Sequence, residues 1–224
     1  MKAKSMLIML LLFAIGCKSI NFVVDISSIN HNETAGNKVF IAPGMKDVAI
    51  NDLQFQEFSN YIKKALIKKG FEIVNTIDDA DQVVMLAYAI SNPQNYTRNI
   101  PLWGPTGIDS SNTYGNISSS GSYYGSTYYN KTYGITGVVP IQETYYIRSI
   151  LLTSYDWQMF KKKKVEKQLW KTLIESSGSS NDLRYVFPYM IVAAEQYIST
   201  NTTHAVTVKI NENDSRVKEY IEDK

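Results

Sequence analysis

Residues 82–91 read QVVMLAYAIS, and the stretch from Val83 to Ile90 is apolar at every position. Successive side chains of a strand point to opposite faces of the sheet, so an unbroken apolar run of this length is typical of a strand buried on both faces. The acidic segment 78–81, Asp-Asp-Ala-Asp, has the composition of a turn. The sequence therefore predicts a central strand that is entered through an acidic turn.

Helix and strand patterns alternate on the N-terminal side of this strand. A β-rich run over 38–42 precedes a helix whose apolar residues recur every three or four positions, at Phe58, Tyr61, Ile62, Ala65 and Leu66. Asn51 and Gln54 have the spacing of a capping box, and Gly70 marks the end of the helix. Residues 71–75 then form a second predicted strand.

The C-terminal half predicts two strands, a helix and a closing strand. The strands span 141–156 and 165–175 and form an antiparallel hairpin. The helix over 183–198 is capped by Ser180 or Asn181, and Pro188 either kinks it or starts its main part. The closing strand covers 206–210. This order predicts an α/β (α+β) two-layer sandwich, with a mixed, mostly antiparallel sheet of five to six strands and two helices on one face.

Length and composition predict one folded domain. The chain has 224 residues, of which 44% are apolar and 20% charged, close to the average of globular proteins. We expect the domain to span residues 38–210 and the charged tail 211–224 to be exposed. Residues 17–37, rich in Ser and Asn, are predicted to be a flexible tether.

The N-terminus has the pattern of an export signal. Lys2 and Lys4 precede an apolar run, and Cys17, the only cysteine, follows directly. The run is too short for a membrane span, which needs about 20 apolar residues. Residues 14–17, Ala-Ile-Gly-Cys, resemble the bacterial lipobox. The resemblance implies a signal peptide over 1–16 and acyl chains such as palmitate on Cys17; the alternative is a secreted protein with a buried cysteine.

The balance of charge argues against nucleic acid as a partner. Removal of Lys2 and Lys4 with the signal leaves 21 basic residues (23 minus 2) and 21 acidic residues. Nucleic-acid binding depends on an excess of positive charge. The run Lys161–Lys164 is the local exception, and we interpret it as a solvated turn between two strands; contact with anionic headgroups is the alternative.

The sequence offers no recognisable catalytic, cofactor or metal site. His31 and His204 are the only histidines, and no ligand cluster, nucleophile elbow or phosphate-binding glycine motif is present. Asp78, Asp79 and Asp81 fit a turn that holds its own backbone better than a pair of catalytic carboxylates. Asp156 and Trp170 are interpreted as structural residues of the predicted hairpin.

A long insert over residues 92–136 is rich in tyrosine and glycine. It is much longer than an ordinary connection, and loops of such length are usually functional or disordered. The doublets Tyr123-Tyr124 and Tyr128-Tyr129 are expected to pair across a small hairpin. Either the rings pack only on one another and on the sheet, or they form a contact surface for a glycan strand or an envelope protein, made by Trp103, Tyr123, Tyr124, Tyr128, Tyr129 and Tyr133.

Four segments together resemble bacterial envelope lipoproteins of unknown function that share a C-terminal α/β domain with a Gly/Tyr-rich insert. They are KKALIKKGFEIVNTIDDADQVVMLAY at 63–88, IRSILLTSYDW at 147–157, QLWKTLIESSG at 168–178 and LRYVFPYMIVAA at 183–194. The resemblance implies a lipid-anchored α/β domain facing the periplasm, with no established reaction.

These features predict a lipid-anchored protein of the bacterial cell envelope with a non-enzymatic binding or scaffolding role. Its expected partners are the membrane, other envelope proteins and peptidoglycan. The alternative is an envelope hydrolase or another enzyme whose site combines scattered Asp, Glu, Ser and Tyr residues. The residue after Cys17 is Lys18. An aspartate at this position would resemble an inner-membrane retention signal, so the lysine favours the outer membrane.

Overall fold

The protein contains two compact units, described here from a computed structural model. The structure describes residues 21–31 and 35–222. The predicted signal peptide and Cys17 lie outside these residues. Among the described residues, the sheet unit comprises 21–31, 35–90, 147–178 and 182–222, and the hairpin unit comprises 91–146 and 179–181.

The sheet unit is a mixed α/β structure built on an open sheet. The eight strands of the described residues are β1 (Asn21–Asn30), β2 (Lys38–Pro43), β3 (Glu72–Ile73), β4 (Gln82–Ile90), β5 (Gln94–Ile117), β6 (Tyr123–Asp156), β7 (Gln168–Gly178) and β8 (Val206–Asn211). Seven of them follow the order β3-β2-β4-β6-β7-β1-β8, in which β2 runs parallel to β3 and β4. The predicted fold class is correct, but five to six strands was too few, since β1 and β5 were missed.

Four α-helices accompany the sheet in the described residues. They are α1 (Leu53–Lys68), α2 (Trp157–Lys163), α3 (Leu183–Ala194) and α4 (Ser215–Glu222). None of the helices between residues 21 and 222 is both long enough and apolar enough to span a membrane.

One face of the sheet is buried beneath α1 and α3. The alternate residues Val84 and Leu86 of β4 and Ile150 and Leu152 of β6 are fully buried on this side. Above them, the ring of Phe58 on α1 stacks on the ring of Phe187 on α3, with centroids 3.9 Å apart. Burial of apolar area is the main favourable term in folding, so this layer is the core of the unit.

Strand β4 lies inside the sheet, between β2 and β6, as predicted. Its other face is less covered than its sequence indicated. Met85 and Ala87 are only half-buried, whereas Val84 and Leu86 are fully buried. The apolar run therefore belongs to a strand with one buried face and one partly open face.

The predicted tether is wrong over residues 21–30, which form β1. This strand lies between β7 and β8, with Val24 opposite Ser176 on one side and Val208 on the other. Its even-numbered residues Phe22, Val24, Ile26 and Ser28 are buried, and the odd-numbered residues are not. The strand was concealed because its alternation is imperfect: the outward residues include the apolar Val23 and Ile29, and the buried residues include the polar Ser28.

The predicted exposed tail contains a helix, α4, over residues 215–222, and although most of this helix is exposed, two of its residues are not. Val217 and Tyr220 of this helix are buried in the core. The hydroxyl of Tyr220 donates a hydrogen bond to Glu195 Oε2 at 2.7 Å, and burial raises the pKa of this phenol well above its ordinary value. The helix is amphipathic, and its short apolar stripe was hidden among charged residues.

The N-terminal caps of α1 and α3 lie one or two residues beyond the predicted positions, whereas the predicted end of α1 is confirmed. Asp52, not Asn51, caps α1 by accepting from the Phe55 amide, while Gly70, at φ 88°, ends it as predicted. Asp182, not Ser180 or Asn181, caps α3. This helix begins five residues before Pro188, so Pro188 does not start it.

The predicted turn at Lys161–Lys164 is instead the last turn of α2, Lys161–Lys163, followed by its capping residue Lys164. Asp156 caps this helix by accepting from the Met159 amide at 2.8 Å, and Lys164 ends it in the left-handed conformation. Basic side chains at the last turn of a helix interact favourably with its dipole. The strands on either side, β6 and β7, are neighbours in the sheet, as predicted.

Replacing Ile26 by Ala tests the inclusion of β1 in the core. Ile26 is fully buried, so we expect the free energy of unfolding to fall by about 3 kcal/mol. The matched control is Val23→Ala on the opposite face of β1, where the side chain is 39% exposed and the loss should stay below about 1 kcal/mol. Urea denaturation measures both; equal, small effects would restore the tether interpretation.

Candidate functional site

The insert of the sequence forms a long two-stranded hairpin. Strand β5 pairs antiparallel with residues 123–145 of β6, from Gln94 opposite Tyr145 to Ile117 opposite Tyr123. A turn over 118–122 joins the strands, where the amide of Gly121 donates to the carbonyl of Ser118. The two tyrosine doublets lie on the same strand, so the small hairpin in which they pair with each other was wrong.

The hairpin carries its aromatic residues on two opposite faces. Residues 123–135 of β6 continue without a bulge on that strand, so odd-numbered and even-numbered side chains point in opposite directions. Cross-strand partners share a face. Each doublet therefore places one ring on each side, and the predicted set of six aromatic residues is not a single surface.

The first face, which we call the aromatic face, holds most of the predicted contact residues. Its members are Trp103, Ile108, Ile117, Tyr123, Tyr129, Tyr133 and Ile135. Trp103 is 71% exposed and Tyr133 is 69% exposed. Large rings that stay this exposed are available to a partner. Lys131 is the one charged residue that β6 places on this face between Tyr123 and Ile135.

The second face, which we call the polar face, holds Tyr124 and Tyr128. These rings are accompanied by Tyr114, which the sequence pattern did not single out, and by the amides and hydroxyls of Asn112, Asn116, Ser126 and Asn130. Tyr114 and Tyr128 are in edge contact, with centroids 6.5 Å apart. Tyr114 was identifiable only through its register, because it follows no doublet pattern.

The ring of Tyr123 covers two glycines of the aromatic face. Gly115 and Gly125 are opposite each other, and a Cβ atom added to either would lie 2.5 Å from the Tyr123 hydroxyl oxygen. An added Cβ at Gly125 would also lie 2.7 Å from the backbone oxygen of Tyr114. The glycines therefore provide the room in which this ring lies flat along the hairpin, and their absence of side chains is required here.

A polar cluster fixes the other end of the hairpin. Glu143 accepts a hydrogen bond from the hydroxyl of Tyr96 and forms an ion pair with Arg98, with Nη2 and Oε1 2.7 Å apart. The hydrogen bond from Tyr96 and the bond from Arg98 lower the pKa of Glu143, and the same contact raises the pKa of Tyr96. Tyr96 and Arg98 are exposed and Glu143 is partly exposed, so these contacts orient the strands more than they stabilise them.

A separate groove lies on the partly open face of the sheet unit. Its volume is about 420 Å³, and strands β4 and β6 line it with Val83, Met85, Ala87, Leu151, Thr153 and Tyr155. The stacked rings of Trp157 and Phe160, with centroids 5.2 Å apart, also line it. Trp157 Nε1 is buried and lacks a hydrogen-bond partner among the described residues. The alternation of β6 could have revealed this groove, because Leu151 and Tyr155 oppose the core residues.

The acidic segment 78–81 is a turn, as predicted. Residues 77–79 form one turn of 3-10 helix. Asp79 accepts from the Thr76 hydroxyl at 2.6 Å, and Asp81 accepts from the Lys38 amide at 3.2 Å. The backbone oxygen of Asp81 also accepts from the Trp157 amide. These contacts join the start of β4 to β2 and α2.

Trp170 is a structural residue, and the two histidines are exposed. Trp170 is buried, as predicted, and donates to Gln82 Oε1 at 3.3 Å. His31 and His204 are exposed. Within residues 21–31 and 35–222, no three His, Cys, Asp or Glu side chains are grouped so that they could hold a metal ion.

Replacing Gly125 by Ala tests the packing of Tyr123 on the aromatic face. The added Cβ must displace the ring and shift the backbone of Tyr114, so we expect the local opening free energy of the hairpin to fall by about 1–3 kcal/mol. Gly137→Ala is the control, because its nearest contact would be Leu102 at an ordinary 3.8 Å. Hydrogen exchange of amides 110–130 measures both; equal exchange in the two variants would contradict this packing.

Comparisons with known proteins identify no family for this chain. No protein-family model and no curated protein matches it. Among solved structures, it is similar to a PDZ domain protein from Parabacteroides distasonis ATCC 8503, with 15% identity and a TM-score of 0.39. The match covers 86% of this chain and 39% of that one, so this chain spans well under half of that protein. At this TM-score, the likeness carries no inference about function.

Proposed function

We propose that this chain is a lipid-anchored protein of the bacterial cell envelope that binds or scaffolds other envelope components without catalysing a reaction. The anchor rests on the lipobox-like residues 14–17 and on the resemblance to envelope lipoproteins. Two or three acyl chains on Cys17 would hold the protein stably on a membrane, whereas one chain binds only marginally. Lys18 favours the outer membrane, with the protein facing the periplasm.

The observation that carries the binding role is the aromatic face of the hairpin. Tyrosine and tryptophan offer a large, rigid contact area and lose little side-chain entropy on binding. Their rings are apolar while their hydroxyl and indole N–H groups still form hydrogen bonds. Trp103, Tyr129 and Tyr133 are all more than half exposed. They therefore supply the apolar and polar contacts of a binding surface without any rearrangement of the strands.

The spacing of these rings favours an extended partner. Tyr129 and Tyr133 lie four residues apart on β6, which corresponds to about 13 Å along a strand. A row of rings at this spacing matches a linear polymer better than a compact ligand. The glycan strand of peptidoglycan is the partner that we favour, and a segment of an envelope protein is the alternative that a pull-down assay distinguishes.

In this proposal, the sheet unit is a two-layer platform. Its sheet forms one layer, α1 and α3 form the other, and β6 continues from the sheet into the hairpin.

Removing the rings of one face at a time tests the binding surface. We expect the variant Trp103→Ser, Tyr129→Ser and Tyr133→Ser to recover roughly tenfold less purified peptidoglycan in a pull-down assay, because buried aromatic anchors dominate such contacts. The control replaces Tyr114, Tyr124 and Tyr128 on the polar face by Ser and should retain binding.

Two outcomes of this assay would contradict the aromatic face as the contact surface. One is unchanged recovery of peptidoglycan by the first variant, and the other is equal loss in both variants. Recovery of an envelope protein with no peptidoglycan would favour the alternative partner. Circular dichroism of all three proteins establishes that the sheet and helices are intact.

Labelling of cells with radioactive palmitate tests the anchor independently of the hairpin. The wild-type chain should incorporate the label and fractionate with membranes, and Cys17→Ala should do neither, because Cys17 is the only thiol in the chain. A wild-type product that stays unlabelled and is recovered in the soluble fraction would exclude lipid anchoring.

A further inference from the structure

The distal part of the hairpin has two long unpaired backbone edges. Residues 110–117 of β5 pair with residues 123–130 of β6 with no register shift. In the described part of the chain, β5 pairs with β6 alone, and this part of β6 pairs with β5 alone. Each strand uses only one side of its backbone in this pairing, so alternate N–H and C=O groups face outward along both edges.

These distal edges lack the features that prevent strand pairing between molecules. Soluble proteins protect exposed edges with lysine, proline, bulges or very short strands. The distal segments read SSNTYGNI and YYGSTYYN, which contain no proline and no charged residue. They are eight residues long on each strand and contain no bulge.

The proximal part of the same hairpin has three of these protective features. Pro101 and Pro105 lie on β5, while Pro140 and Lys131 lie on β6. Three register shifts interrupt the pairing between Leu102 and Ser110. Protection is therefore confined to one part of the hairpin, and the contrast indicates that the distal edges are the segments that accept another strand.

The chemistry of the hairpin favours a second copy of this chain as that partner. Residues 94–146 contain four charged side chains, two of each sign, namely Arg98, Asp109, Lys131 and Glu143. Two hairpins therefore do not repel each other, and nothing in their charge selects an acidic or basic partner. The distal strands already match each other: the hydroxyls of Thr113 and Thr127 lie 2.9 Å apart across the pair. An adjacent copy offers the same ladder of hydroxyls, amides and rings.

The stability of a larger sheet also favours pairing with a second copy. A two-stranded hairpin is marginally stable alone, whereas three or more strands with an apolar face are independently stable. Two joined hairpins form four strands, in which the inner two edges are no longer exposed. The aromatic faces of the two copies can then lie side by side on one continuous surface.

We propose that the distal edges formed by residues 110–117 and 123–130 pair with the same edges of a second copy, which joins the hairpins of neighbouring molecules into one sheet. This pairing uses the backbone edges, whereas the proposed binding of peptidoglycan uses the ring faces. The self-association therefore stands or falls independently of that function and of the lipid anchor.

Charged residues on the distal edges provide the test. The full-length chain in mild non-ionic detergent is compared with Ser111→Lys plus Ser126→Lys, which places one lysine on each distal strand. We expect the wild-type chain to associate with itself in sedimentation experiments as its concentration rises, and the lysine variant to associate at least roughly tenfold more weakly because like charges repel across the new pair.

Two matched variants separate the effect of edge charge from changes in side-chain size and from loss of the rings. Ser111→Thr plus Ser126→Thr changes the same positions without charge and should associate like the wild type. The Ser substitutions of Trp103, Tyr129 and Tyr133 should also preserve association. Hydrogen exchange at 110–117 in the lysine variant establishes that its own hairpin remains formed.

Four results would overturn the proposal. The first is a wild-type chain that stays monomeric over the whole concentration range. The second is unchanged association of the lysine variant. The third is loss of association when Trp103, Tyr129 and Tyr133 are replaced by Ser, which would assign the contact to the rings. The fourth is co-purification of a different protein on the edge in place of a second copy.

Discussion

The sheet unit depends on the burial of one face of its sheet beneath α1 and α3. The stack of Phe58 on Phe187 joins the two helices, and strands β1, β4, β6 and β7 each direct alternate residues toward that layer. The stabilising free energy of apolar burial is proportional to the area removed from water. Residues that are far apart in sequence therefore stabilise the unit by covering one another in this layer. Strand β1 belongs to this layer through Val24 and Ile26.

Burial of only one face leaves the other face free for different chemistry. The groove between β4, β6 and α2 lies there, and its apolar side chains are the alternate residues of strands whose remaining positions form the core. An apolar run such as Val83–Ile90 therefore contributes side chains both to the core and to the groove on the other face. The contacts of Asp81 with Lys38 and Trp157 hold the elements around the start of this strand together.

The hairpin unit obeys a different constraint, because two paired strands have no interior. Its residues are not selected for burial, which explains why glycine, serine and tyrosine predominate. Side-chain alternation gives it an aromatic face and a polar face, and the ladder gives it two edges. The proposed binding of peptidoglycan uses the faces, and the proposed pairing with a second copy uses the edges. Hairpins joined at their edges would therefore present several aromatic faces to one extended polymer. Such multivalency strengthens weak contacts without any new interaction.

The sequence alone determined the local elements whose signals are contained within a few residues. The apolar period of α1, its end at Gly70, the acidic turn at 78–81 and the run of β4 all depend on neighbours in the chain. Only the tertiary structure decided that residues 21–30 form a strand between β7 and β8, because half of its side chains are polar and its partners lie more than 130 residues away. The register of β5 on β6 likewise separated the tyrosine doublets onto two faces, since the side on which a ring lies depends on strand pairing that no single segment encodes.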